Sequence, residues 1–250
     1  MRKAFLAAAV LLAAATAARA DNIRLLTTGA FKPAAQDIVA IFERQSGHKV
    51  TVVNDTAGAL RQRVAKGEKF DVLVLTQDGL DALVGTRRLD DSSITPLAKV
   101  GIGVAVPLSA PQPDIVSVEG FRRTLLAAHA VAYMDPNAGA TSGIYLARLF
   151  QAMGIASEIA RKAVLVRGGL AAERVARGDA DIALQQASEL RVVPSVRFAG
   201  LLPDQIQNYT IYAGAIAADT NVLEAATALM VAFTDPAADA ILRRRGLEMP

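Results

Sequence analysis

Four stretches of this chain combine hydroxyl side chains with small residues in the spacing of a turn that feeds a helix. They are Thr27-Thr28-Gly29-Ala30, Asp55-Thr56-Ala57-Gly58, the run from Asp135 to Ser142 (DPNAGATS), and Arg167-Gly168-Gly169. Small residues let a ligand approach the main chain. A following helix presents unpaired N–H groups and the positive end of its dipole, which suits an anion. One such loop is an ordinary helix cap. Four at equivalent strand ends make a candidate anion site, carried by Thr28, Gly29, Ala30, Thr56, Ala57, Gly58, Thr141, Ser142 and Gly168. Arg167 ends a strand, where its guanidinium could hold a carboxylate through two hydrogen bonds. Gln185, Gln186 and Ser188 follow another strand and could also donate to a ligand.

Composition removes several other chemistries. The 250 residues contain no cysteine, so a disulfide framework, a thiolate metal site and a cysteine nucleophile are excluded. The two histidines, His48 and His129, are far apart and read as loop residues, so no metal site is expected. No P-loop, GxSxG, HExxH or dinucleotide fingerprint occurs, and no cofactor is expected. Tryptophan is absent and aromatics are 5%, which argues against a base-stacking surface and against nucleic acid as a partner.

The N-terminus reads as a secretory leader. Met1-Arg2-Lys3 is basic, Ala4 to Ala17 is uncharged and almost wholly apolar, and Ala18-Arg19-Ala20 is a small-x-small cleavage site. The run is short for a bilayer span. Cleavage after Ala20 removes Arg2, Lys3 and Arg19 and no acidic residue, so the 27 basic residues fall to 24, against 24 acidic. The formal +3 therefore belongs to the leader. A neutral, secreted, periplasmic chain without membrane insertion is expected, and a monomer.

Behind the loops, strands and helices alternate. Strands are expected at 23–27, 49–54, 70–75, 131–134, 163–166 and 182–185, with helices at 31–45, 60–66, 78–84, 118–128, 144–153 and 170–177. Two longer strands are expected at Val100–Val106 and Tyr209–Ala218, and two final helices at 222–233 and 236–245. This organisation implies two α/β lobes, 21–103 plus 211–250 and 104–210, with the final helices packing on the first. A ligand would sit between them at the carboxyl ends of the strands. Tyr145 reads as core, whereas Tyr209 or Tyr212 could face the cleft.

The pattern Thr28-Gly29-Ala30-Phe31 with Gln36-Asp37-Ile38, then Leu60-Arg61-Gln62-Arg63, Gly67 and Phe70-Asp71-Val72, then Asp135-Pro136 and Gly143-Ile144-Tyr145 carries a resemblance. It resembles the periplasmic molybdate-binding proteins of ABC importers over essentially all of 21–250. The resemblance implies a type II periplasmic-binding-protein fold of mostly parallel sheets flanked by helices, with a two-strand hinge. It also implies capture of a small anion for an ABC permease. The family's contact positions fall on Ala30, on Ala57, near Ser142, near Gly168 and on Gln186. Two serine hydroxyls and a tyrosyl hydroxyl are thus replaced, which together with Arg167 would suit a larger organic carboxylate. The stretch from Gln185 to Leu190 (QQASEL) is also similar to the aconitate isomerases, enzymes on the same fold. That likeness implies a 1,3 proton shift with Arg167, Thr56, Thr141, Ser142 and Gln186 clamping carboxylates. The sequence assigns no general base; Glu189 and a cleft tyrosine are candidates.

Overall fold

A computed structural model describes residues 20–250. The expected leader, 1–20, lies outside them except for its last alanine. Ten strands form two five-stranded sheets among the described residues. The first contains β1 (Asn22–Thr28), β2 (Lys49–Asp55), β3 (Val72–Thr76), β4 (Thr95–Val100) and β10 (Thr210–Ile216), in the order β2-β1-β3-β10-β4. The second contains β5 (Ile102–Pro107), β6 (Val131–Met134), β7 (Ala163–Val166), β8 (Ile182–Gln186) and β9 (Val196–Leu201), in the order β7-β6-β8-β5-β9.

The two sheets share one plan. Three strands are parallel, β2-β1-β3 in one and β7-β6-β8 in the other. An antiparallel strand, β10 or β5, then lies between the third of these and an edge strand. Runs such as Val72–Leu75 and Val131–Met134 are buried at every position, as strands covered on both faces must be.

The long strand expected at Val100–Val106 is a correction. Gly101 breaks it, β4 ending in the first sheet at Val100 and β5 beginning in the second at Ile102. The chain returns to the first sheet between β9 and β10. Strands β4 and β9 were not expected from the sequence.

Helices cover both sheets. They are α1 (Lys32–Ser46), α2 (Ala57–Ala65), α3 (Gln77–Asp81), α4 (Val118–Ala127), α5 (Thr141–Ala152), α6 (Ala156–Ala160), α7 (Ala172–Ala176), α8 (Ala187–Leu190), α9 (Leu223–Thr234) and α10 (Pro236–Arg244). Helix α1 starts with Pro33 in its first turn and stops at Gly47, whose φ of +78° a residue with Cβ adopts poorly. It buries Ala34, Ala35, Ile38, Val39 and Phe42 against the first sheet and the C-terminal helices. Phe31 meets Phe233 of α9 edge to face at 5.4 Å. Arg245, just past α10, donates to both carboxylate oxygens of Asp37 on α1, at 2.8 and 2.9 Å. The final helices therefore close the first sheet's core, as the sequence implied.

Candidate functional site

A cavity of about 720 Å³ lies between the two sheets at the carboxyl ends of their parallel strands. Thr28, Gly29 and Ala30 enter it after β1, and Asn54 to Ala57 at the end of β2. Met134, Ala140 and Thr141 enter after β6, Gly168 and Gly169 after β7, and Gln185, Gln186 and Glu189 at and after β8. Tyr212 of β10 reaches the same space from the first half.

Two long helices begin at this cavity without a side-chain cap from the residue that precedes them. Helix α1 starts behind Phe31 and α5 behind Ala140, and neither N-terminus receives a side-chain oxygen from its capping residue. Their first-turn N–H groups and dipoles favour negative charge. Lys32 adds a full positive charge on the cavity wall. Among the described residues it has no carboxylate partner. Apart from Glu189, the other charged residues of the wall are engaged: Asp37 with Arg245, Asp55 with Arg63, and Glu173 with Arg177.

The expected site residues divide into three groups. Thr28, Gly29, Ala30, Ala57, Thr141, Gly168 and Gln186 line the cavity. Thr56 lines it too, but its hydroxyl is already committed. It accepts from Ala59 N at 3.2 Å, capping α2, and donates to Ala138 O across the cleft at 2.7 Å. Gly58 and Ser142 lie just behind the wall. Gly58 N–H donates to Gly139 O of the other half at 3.1 Å, and a Cβ on Gly58 would stand 2.9 Å from Gly139 Cα. The two halves thus meet here backbone to backbone.

Arg167 is placed elsewhere than expected. Its side chain is 89% exposed, it does not line the cavity, and its Nε donates to Asp135 Oδ2 at 3.3 Å. Asp135 is nearly buried and holds the guanidinium outside the cleft. Gln185 serves the loop between β7 and α7, which it fixes by accepting from Ala171 N at 2.8 Å and donating to Gly169 O at 3.3 Å.

The cavity floor holds a buried polar cluster. With its amide set so that both ends are satisfied, Gln186 donates to Glu189 Oε2 at 3.0 Å and to Ser142 Oγ at 2.9 Å. It accepts from Thr141 Oγ1 at 2.6 Å and Ser142 N at 3.3 Å. The Glu189 carboxyl faces Gly29, where a Cβ would lie 2.6 Å from Oε1. Among the described residues no cation pairs with it. Burial pushes its pKa up to about 8, with a neighbouring Gln185 hydrogen bond pulling weakly the other way. Burial, and then the Glu189 charge, push the Tyr212 phenol well above its ordinary range, while the Thr141 and Thr28 hydroxyls oppose the shift. Thr28 Oγ1 misses full hydrogen-bond geometry with that phenol and stays buried without a partner. Such a hydroxyl costs free energy until a ligand meets it. Sequence reasoning missed Lys32. Its signal was a lysine-proline pair directly behind the first glycine loop.

Two sheets of one plan, crossed twice by the chain and enclosing a cavity suited to an anion, define a protein that holds solutes between two halves. Residues 23–248 match the model of the bacterial extracellular solute-binding proteins, and the chain belongs to that family. It is 34% identical over 215 residues to an aconitate isomerase of Pseudomonas sp., covering 84% of this chain and 80% of that one. Its fold matches the periplasmic molybdate-binding protein of Azotobacter vinelandii with a TM-score of 0.76 at 17% identity, over 91% of this chain and 99% of the other. The sulfate-binding protein SubI of Mycobacterium tuberculosis H37Rv matches with a TM-score of 0.70 at 16% identity, over 92% and 87%.

Proposed function

We propose that this protein binds a small organic polycarboxylate in the cavity between its halves. The halves act as lobes, 21–103 with 211–250 and 104–210, that close on the ligand. Export to the periplasm, with removal of the leader after Ala20, and delivery to an ABC permease complete this reading. The observation that supports it is the meeting, over about 720 Å³, of two helix N-termini left open by their own capping residues and of Lys32, which has no carboxylate partner among the described residues. A tetrahedral oxyanion displaces only a few waters' worth of volume, about 30 Å³ each, and would leave most of that space wet. Several carboxylates on one short carbon chain would use more of it and reach the two helix N-termini and Lys32 together. Thr28, Gly29, Ala30, Thr141 and Gln186 are the contacts of this reading.

A second reading is isomerisation of such a ligand. It is favoured by Glu189, an ionisable group on the cavity floor without a charged partner, and by the 34% identical aconitate isomerase. The reaction class is a 1,3 proton shift: a methylene C–H next to a carboxylate breaks, the double bond moves one carbon, and a C–H forms at the former vinylic carbon.

A thermal-shift panel of molybdate, tungstate, sulfate, phosphate, citrate, and cis- and trans-aconitate tests the binding reading. A polycarboxylate at a hundred times its Kd stabilises by about 2.7 kcal/mol, an upward shift of several degrees. Stabilisation by molybdate, tungstate or sulfate alone overturns it. Proton NMR of the cis-aconitate sample then separates holding from turnover.

A further inference from the structure

We propose that Glu189 is the group that takes and returns the migrating proton, and that Tyr212, reaching it across the cleft, holds the substrate carboxylate on which charge accumulates. This assignment rests on the isomerase reading and deepens it. Its basis is position. Glu189 follows β8 of the second half and Tyr212 lies on β10 of the first, yet both line one cavity. Gly29 leaves the space the carboxyl occupies, because any larger residue would intrude on Oε1. Gln186 fixes Oε2 by donating to it, which leaves Oε1 as the oxygen free to work.

The step balances without a co-reactant. The ionised Glu189 carboxylate removes a proton from the methylene, and the C–H pair delocalises over three carbons and the adjoining carboxylate. Tyr212 O–H, which stays protonated, donates a hydrogen bond to that carboxylate. Glu189 then delivers the proton to the former vinylic carbon and is ionised again. A base of raised pKa is stronger than an ordinary glutamate, and its ionised fraction grows as pH rises towards 8. The titratable groups around it are Tyr212 from β10, Lys32 and Asp37 from α1, Asp55 from β2, Glu173 from α7 and Arg245 beyond α10. Just past its own helix, Arg191 is stacked over Phe198 at 4.3 Å.

The test compares the wild-type protein with Glu189→Gln, Glu189→Asp and Tyr212→Phe. Binding of cis-aconitate is read by calorimetry. Turnover and methylene deuterium exchange in D₂O are read by proton NMR. Glu189→Gln mimics the protonated acid and folds; it is expected to bind within tenfold of wild type while turnover falls by about 10²–10⁴. Glu189→Asp recovers part of that rate, and Tyr212→Phe lowers it about tenfold. The wild-type rate climbs with pH and levels off above about 8. Turnover of Glu189→Gln within threefold of wild type overturns the assignment and leaves the isomerase reading standing. A wild-type protein that binds cis-aconitate but neither converts it nor exchanges its methylene protons overturns both.

Discussion

Two glutamates of this molecule start from the same ordinary pKa and end far apart. Glu68, on the outer side of the first half, is held down to about 2 by hydrogen bonds from Arg63 first and Arg24 second. The three bonds measure 2.5, 2.7 and 2.8 Å. Glu189, on the cavity floor, has a glutamine and hydroxyls around it and no cation among the described residues, and burial lifts it to about 8. The outer region uses arginines to keep a charge fixed. The floor withholds them and keeps a proton movable. Positive charge is set at the wall instead, in Lys32 and in the dipoles of two helix N-termini.

The largest expected effect on this contrast comes from Glu189→Gln. The raised folded pKa means that the unfolded chain, with an ordinary glutamate, gives up its proton first. Ionising the buried group therefore costs stability progressively as pH rises from about 4.5 to about 8. Glu189→Gln removes that cost. Urea denaturation is expected to show a gain of several kcal/mol over wild type at pH 8.5 and none at pH 4. An equal gain at both values would show that Glu189 is not strained by ionisation.

Gly58→Ala sharpens the comparison from the cleft edge. A Cβ there meets Gly139 Cα at 2.9 Å, backbone on both sides, so the halves must part. Water then reaches the floor. Affinity for cis-aconitate is expected to fall about tenfold, or ~1.4 kcal/mol, in calorimetry. The decline of stability should still begin near pH 4.5 but end well below pH 8, with a smaller total loss. Unchanged affinity would mean that the halves bind without this contact.

Glu68→Gln has a smaller effect of opposite pH dependence. Its pKa is depressed on folding, so its contribution is present above about 4.5 and fades as pH falls towards 2. Partial exposure and salt screening limit it to about 1 kcal/mol at pH 7, less at pH 3. Smallest is Arg167→Ala. The guanidinium points to solvent beside Asp135, so affinity should change less than twofold. A tenfold loss would place it in the bound site after all.

The fold was legible where periodicity is local. The alternation of strand and helix from β1 to α2, and the return of the final helices to the first half, follow from apolar spacing and from the lack of another face to cover. The crossing at Gly101 was hidden, because Val100 to Val106 reads as one apolar run whether or not it changes sheets. Strand β9 was hidden by its glycine, Gly200, at φ +147°. In the site, loops were legible from their glycines and hydroxyls. Glu189 and a cleft tyrosine were candidates from the start, but which of Tyr209 and Tyr212 lines the cavity was not legible, since it depends on how β10 sits in the first sheet. Arg167 misled because strand-end position says nothing about which way a side chain turns when a buried aspartate is waiting for it.

At the cleft edge the halves touch through Gly58 and Gly139 main chain and one threonine hydroxyl. Recognition on the floor uses a separate set of atoms. Floor residues such as Gln186 and Thr28 can therefore be varied without altering the contact that joins the halves. A fluorophore pair placed astride that contact would show whether a solute changes the separation of the halves.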